Sequence, residues 1–278
     1  SEKAKAAMHS LYEPVISGNV KWPESDTTSP ASDPIPVVET DLASAQMIKY
    51  ASNAFLATRI SFINQISGLS RKLGADISEV TRGMGYDPRI GHAYLGSGLG
   101  FGGPCLEKDL RGLISLAEAN GYEPQVLKAV WEQNERQIAE AINKLKELVG
   151  YLLYRKIVAA FGLSFKAETN DVRNSQPIKL IDRLEKEGAL IRAHDPMAIP
   201  DARALKPDLI YCEDPYEAVR DAEALMILTQ WPSYKDLDYS EINKRMAQPN
   251  IVDPWGLLNG NKLRSLGFNY EGSVRLYS

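Results

Sequence analysis

The chain has 278 residues, enough for one large domain or two medium ones. Apolar residues make up 44% and charged residues 24%, and the net charge of -4 comes without a long basic run, which argues against nucleic acid as a partner. No apolar stretch approaches the ~20 residues needed to cross a bilayer, and the opening SEKAKAAMHSLYEP lacks the apolar core of a secretory signal, so no membrane association is expected.

Residues 1–18 are predicted to be a short helix, with Ala4, Ala7, Met8, Leu11 and Tyr12 at helical spacing. Residues 19–38 carry Pro23, Pro30, Pro34 and Pro36 among Ser, Thr and Asp and form a linker. Thr40 is the expected N-cap of a long helix with Asp41 in its first turn. That helix runs to Leu73 with a break or bend, and Gly74 ends it. Asp76 caps a shorter helix over 77–84. Residues 85–104 are rich in glycine, and helices follow over 106–120 and 124–149. After Gly150 the pattern changes to short apolar runs at 156–161, 190–193, 208–212, 224–229 and 250–253, with an amphipathic helix at 176–187. Strands alternating with helices imply a parallel, Rossmann-like sheet. The expected fold class is α/β: a mostly helical central domain, a long connecting helix, and a C-terminal Rossmann-like parallel sheet.

Two cysteines, Cys105 and Cys212, are too few for a disulfide framework, so a reducing cytoplasm is the expected compartment. Cys105 stands in GFGGPCLEKD, a cysteine at the start of a helix after a flexible loop. A helix N-terminus and a nearby lysine, here Lys108, stabilise a thiolate. Asp109 lies four residues on, on the same helix face, where it could position or deprotonate a water near the sulfur. The same segment also fits a buried cysteine beside a loop that merely turns. Lys49 and Asn53 share one helix face among Ile48, Ala51, Ala54 and Phe55, and a cation and an amide together can bind a developing oxyanion; a solvated helix stripe would look the same. Arg89 sits in the turn-rich DPRIG loop. Lys166 and Arg173 follow the first strand of the C-terminal sheet, where Rossmann-like folds place ligands, and could meet phosphates. His9, His92 and His194 are dispersed without metal-ligand spacing, so no metal site is expected.

Together these pieces resemble a known family. The stretches KYASNAFLATRISFINQI, GADISEVTRGMGYDPRIG, GFGGPCLEKD, GLSFKAETNDVRNS and AHDP are similar to those of the UDP-glucose and GDP-mannose dehydrogenase family, and the resemblance covers essentially the whole chain. The KYASNAF helix and the DPRIG loop resemble the UDP-glucose branch.

The resemblance implies oxidation of C6 of a nucleotide sugar, UDP-glucose to UDP-glucuronate, in two NAD-dependent hydride transfers. It implies Cys105 as the nucleophile that forms a thioester, Lys49 and Asn53 as the groups that stabilise the oxyanion, and Asp109 as the aid to water and proton transfer. Arg89, Tyr94, Phe101, Gly102, Phe165 and Lys166 match substrate-binding positions, with Arg89 supplied in trans by the second subunit of a homodimer. Lys108 and Arg173 match cofactor-contacting positions. The implied domains are residues 1–38, the end of an NAD-binding domain plus linker; 39–150, the central helical dimerisation and catalytic domain; and 151–278, the UDP-sugar-binding domain. The resemblance implies that the family's N-terminal Rossmann domain, expected to bind most of the NAD, is missing from these residues; it is the further partner implied, and the isolated chain is expected to be inactive without it. Trp255 stands where the UDP-glucose branch usually has an arginine, which leaves another sugar nucleotide (a UDP-N-acetylhexosamine or GDP-mannose) as an alternative. A 6-phosphogluconate-like dehydrogenase would share the helices without needing Cys105, and a non-catalytic dimerisation or binding module is the other alternative for the isolated chain.

Overall fold

The computed structural model describes residues 1–18 and 35–272. Most of the predicted 19–38 linker lies outside them, and residues 35–38 have no regular structure. The chain divides into two compact units, Ser1–Lys49 and Tyr50–Ser278.

In the first unit, α1 (Glu2–Ile16) is capped by Ser1, whose side chain accepts from the Ala4 amide, and none of its residues is buried. His9 Nε2 meets Glu39 Oε1 at 2.7 Å. Helix α2 (Leu42–Leu73) starts in this unit and continues into the second. Asp41, not Thr40, caps it: Asp41 Oδ1 accepts from the Ser44 amide at 2.9 Å, while the Thr40 hydroxyl reaches only Asp41 Oδ2 at 3.5 Å. The helix begins one residue later than expected, and a carboxylate there satisfies a free amide and complements the helix dipole together. The expected break is not there; Gly68 lies within an uninterrupted helix, and Gly74 at φ +75° ends it.

In the second unit, α3 (Ile77–Gly85) is capped by Asp76 through the Ser78 amide. Helices α4 (Leu106–Ala119) and α5 (Gln125–Val149) follow. The inner face of α5 buries Val130, Asn134, Ile138, Ala141, Ile142, Leu145 and Val149, the three- and four-residue spacing of one helix face. Its first part packs in a core with Ala54, Ala57, Phe101 and Leu110. Its second part belongs to the core of the sheet, so α5 is common to both halves of the unit.

The sheet is six-stranded and all parallel: β1 (Ile157–Phe161), β2 (Leu190–His194), β3 (Ile210–Tyr211), β4 (Ala224–Ile227), β5 (Asn250–Asp253) and β6 (Asn269–Gly272), in the order β3-β2-β1-β4-β5-β6. Helix α6 (Gln176–Lys186), capped by Ser175, links β1 to β2. The short helices α7 (Ile199–Leu205), α8 (Pro215–Ala218), α9 (Tyr239–Arg245) and α10 (Gly260–Ser265) fill the other crossovers. Both faces of β1 are covered: Val158 and Ala160 enter one core, Ala159 and Phe161 the other. That is why its sequence is continuously apolar rather than alternating. Phe161 pairs with Ile227, so β1 and β4 are neighbours although two strands separate them in sequence. The chain reverses direction across the sheet between these strands, and ligands of open α/β sheets bind at the carboxyl ends of such a pair.

Candidate active site

Three loops meet where β1 and β4 end. The first is the glycine-rich segment 96–105, held by buried amide side chains. Asn64 Oδ1 accepts from the Gly98 amide at 2.7 Å, and Gln176 Nε2 donates to the Leu99 carbonyl at 3.4 Å. The Trp255 ring covers Gly98 so closely that a Cβ there would fall 2.0 Å from it. The Gly103 amide donates to the Asn174 carbonyl at 3.2 Å, with Gly102 packed against the same oxygen. The segment ends at Cys105, which occupies the N-cap position of α4 without using its side chain as a cap and is exposed. Helix α4 is tied down just beyond it: Glu107, itself buried, pairs with Lys179 of α6 at 2.7 Å.

The second loop, 162–175, follows β1 and is organised by one carboxylate. Asp195 Oδ2 accepts from the Leu163 amide at 2.7 Å, the Ser164 amide at 3.2 Å and Trp231 Nε1 at 3.1 Å, while Oδ1 accepts from the Ala198 amide at 2.7 Å. This explains the Asp of the AHDP stretch: buried and accepting at both oxygens, it joins the ends of β1 and β2. Thr229 Oγ1 donates to the Ser164 carbonyl at 2.8 Å and Ser175 Oγ to the Leu163 carbonyl at 2.6 Å, fixing the stretch that carries Phe165 and Lys166. Lys166 Nζ lies 5.7 Å from the Phe165 ring centre.

The third loop follows β5. Trp255 Nε1 donates to the Leu228 carbonyl at 2.9 Å. Beneath the turn, the fully buried Asp253 accepts from the Leu258 amide at 2.9 Å and the Tyr270 hydroxyl at 2.8 Å, and burial pushes its carboxyl above the ordinary carboxylate range.

The loops enclose a cavity of about 570 Å³. Asn53, Tyr94, Phe101, Gly102, Cys105, Phe165 and Lys166, all expected from the sequence, line it together. Its size is within the roughly 300–1,000 Å³ of small-molecule sites. Thr229, Gln230 and Trp255 also line the cavity, with Leu56, Ile60 and Leu106 among its apolar walls. Thr229 and Gln230 are not among the expected site residues; the sequence signal for them is their place at the end of the strand-like run 224–229.

Five other expected residues lie elsewhere. Asp109 is fully buried, one layer behind the cavity, where it accepts from Asn53 Nδ2 at 2.5 Å and meets Lys108 Nζ at 2.9 Å. Its bond to Lys108 raises that ammonium above the ordinary lysine value. Arg173 is held by Asp171 at 2.7 Å and lines a separate groove with Asn170 and Asp201; the Asp171 carboxylate raises its guanidinium, with a smaller contribution from Cys105. Arg89 is 88% exposed and paired with Asp87 in its own loop, whose backbone Arg59 grips through the Ile90 and Gly91 carbonyls at 2.7 and 3.0 Å. Lys49 is exposed on α2 and belongs to the first unit.

Residues 43–136 match the central domain of the UDP-glucose/GDP-mannose dehydrogenase family, and residues 159–260 match its UDP binding domain. The chain belongs to this family. A UDP-glucose 6-dehydrogenase of Bacillus subtilis is 42% identical over 241 residues, which are 86% of this chain and 52% of that protein. The solved UDP-glucose dehydrogenase of the hyperthermophilic archaeon Pyrobaculum islandicum superposes with a TM-score of 0.81 at 34% identity, over 99% of this chain and 57% of that one. An NDP-N-acetyl-D-galactosaminuronic acid dehydrogenase from Methanosarcina mazei superposes with a TM-score of 0.74 at 26% identity, over 82% of this chain and 50% of that one. The chain therefore spans about half the length of these relatives. Both matched domains of the family contribute to the cavity: Asn53, Tyr94 and Cys105 come from the central one, Phe165, Lys166 and Trp255 from the UDP binding one.

Proposed function

We propose that this chain supplies the nucleotide-sugar-binding and thiol-bearing part of an NAD-dependent UDP-glucose 6-dehydrogenase, which makes UDP-glucuronate. The observation that carries the reading is the meeting of Cys105 with Asn53, Phe165 and Lys166 in one cavity at the point where the strand order reverses. The domains proposed are residues 39–150, for the thiol chemistry and dimerisation, and 151–278, for the UDP-sugar, with 1–38 as the end of an NAD-binding domain and a linker.

In this reading Cys105 Sγ adds to C6 of the sugar at the aldehyde level, and the carbonyl oxygen becomes a thiohemiacetal oxyanion. Asn53, in the cavity wall, holds that oxygen, where charge develops; for Lys49 the part in oxyanion stabilisation rests on the family resemblance alone. Oxidation of the adduct leaves a thioester; water attacks its carbonyl, the C–S bond breaks, and the thiolate leaves the uronate. The aldehyde stays bound to the thiol between the two oxidations. Asp109 reaches the cavity through Asn53 and serves the water and proton steps. Lys166 supplies a cation at the carboxyl end of β1 for the diphosphate, beside the Phe165 ring. Lys108 and Arg173, both exposed and paired with Asp109 and Asp171, are proposed as the cations that meet the pyrophosphate of NAD. NAD, when bound, accepts the hydrides.

Arg89 is proposed to act in trans within a homodimer. The reading is supported by the outward projection of its side chain from a clamped loop, and by Phe55, Phe62 and Leu69, which are 62%, 49% and 51% exposed at seven-residue spacing along α2. A second sugar is favoured by one observation: Trp255 presents an indole ring to the cavity, its only donor engaged by Leu228, where the UDP-glucose branch usually has an arginine. Calorimetry on this chain tests the assignment. UDP is expected to bind and NAD to bind poorly; tight NAD binding without UDP binding inverts it, and a preference for a UDP-N-acetylhexosamine over UDP-glucose selects the second sugar.

A further inference from the structure

We infer that Asn134 is a positioning residue for Cys105, clamping the backbone of the loop that delivers the thiol to the start of α4; the inference rests on Cys105 being the reactive group, as proposed above. Asn134 lies on α5 and is fully buried. Both ends of its amide go to one residue: Oδ1 accepts from the Phe101 amide at 2.8 Å, and Nδ2 donates to the Phe101 carbonyl at 3.0 Å. The side chain thus does for Phe101 what a neighbouring strand would do, in a loop that has no strand.

The preceding glycine is part of the device. Gly100 has φ +90°, and a Cβ there would fall 2.3 Å from Asn134 Oδ1. Only a glycine lets the backbone approach the amide this closely. On the other side of the loop, the Gly103 amide is held by the Asn174 carbonyl. The thiol therefore takes its place from α5 on one side and from the backbone before α6 on the other. The buried face of α5 is otherwise mainly apolar, Val130, Ile138, Ala141 and Ile142 among its residues, and an amide in that row is costly unless its bonds are needed.

The clamp predicts how fast Cys105 reacts. Cys105 is the N-cap residue of α4, and a helix N-terminus favours an anion; a loosened loop takes the sulfur away from that place. The measurement is the rate of iodoacetamide alkylation at Cys105 relative to Cys212, by mass spectrometry on this chain in the folded state. Alkylation needs neither substrate nor cofactor, so its outcome stands apart from whether the dehydrogenase reading holds. In Asn134→Asp, an ionised carboxylate keeps the bond from the Phe101 amide but repels the Phe101 carbonyl, and the ratio is expected to fall about fivefold, the worth of one helix terminus. When the buried carboxyl is protonated its hydroxyl donates to that carbonyl again, so the deficit against the wild-type chain closes as pH falls. Asn134→Leu keeps the deficit at every pH; if that variant does not fold, the pH course of Asn134→Asp decides alone. A ratio in the Asp variant that matches the wild-type chain throughout the pH scan to its alkaline end, a deficit that pH does not repair, or a parallel rise at Cys212 that signals general loosening overturns the inference.

Discussion

Asn53 Nδ2 donates to Asp109 Oδ2 across 2.5 Å, joining a residue of the cavity wall to a fully buried carboxylate on α4. The bond links α2 to α4 one turn beyond Cys105, so the amide proposed to hold an oxyanion is itself oriented by the acid proposed to assist water. Asp109→Ala removes this acceptor from the Asn53 amide and from Lys108. A partly buried donor left without its partner costs about 1–3 kcal/mol. Urea denaturation is expected to show a loss of that size for Asp109→Ala and a smaller one for Asp109→Asn, whose amide oxygen can still accept. Equal stability of Asp109→Ala and the wild-type chain would mean that the contact contributes nothing.

The sheet carries an acid-sensitive element in His194. Its ring is buried against Phe161 and Tyr234, with Nδ1 3.2 Å from the Tyr234 hydroxyl. Burial lowers its pKa below the ordinary 6.5, and the nearby Asp195, Asp214 and Glu213 only partly offset this. The folded chain therefore keeps His194 neutral while the unfolded chain takes up a proton at 6.5. The stabilisation is fully present above 6.5 and is lost as pH falls from there through the folded value. The midpoint of thermal unfolding is expected to drop over this window, and His194→Gln to flatten the drop. An identical slope in the variant would place the acid sensitivity elsewhere.

The exposed row of Phe55, Phe62 and Leu69 on α2 predicts self-association. Light scattering is expected to give the mass of a dimer at micromolar concentration, and Phe62→Glu, which puts a charge in the middle of the row, to shift it toward the monomer. A monomeric wild-type chain removes the basis for Arg89 acting across subunits.

Much of this was legible in the sequence because the informative residues lie at breaks in pattern. Cys105 follows glycines and opens a helix; Phe165 and Lys166 follow the first strand of an α/β unit; and both places have a physical reason to hold ligands. The long helices showed their period, so α2, α4 and α5 were placed within a few residues. The short elements did not: α7, α9 and α10 are six or seven residues each, too short for a period to register, and β6 has alternating burial behind a mostly polar sequence. Within the site, Asn64 and Asn134 were missed because each acts on a backbone about thirty residues away, a pairing that no local spacing encodes. Thr40 was preferred over Asp41 as a cap because both suit that position, and only the hydrogen bond to Ser44 separates them.

The last prediction concerns turnover in the full-length protein. If Cys105 carries the sugar between the two oxidations, Cys105→Ala removes the sulfur proposed to hold the aldehyde carbon, and UDP-glucuronate formation is lost. Cys105→Ser keeps an atom of similar reach but makes an ester where the thiol makes a thioester. An alkoxide leaves less readily than a thiolate, so the acyl intermediate is expected to accumulate and appear as added mass on the protein. Lys49→Ala is expected to act differently: its charge matters when the oxyanion develops, so kcat falls roughly 10²- to 10³-fold, the worth of one such donor, while KM changes little. NADH production from UDP-glucose, followed by stopped flow, separates the three. Cys105→Ala making UDP-glucuronate at a rate near that of the wild-type protein would reduce Cys105 to a small residue at the start of a helix, and the thioester would have no place in this chain.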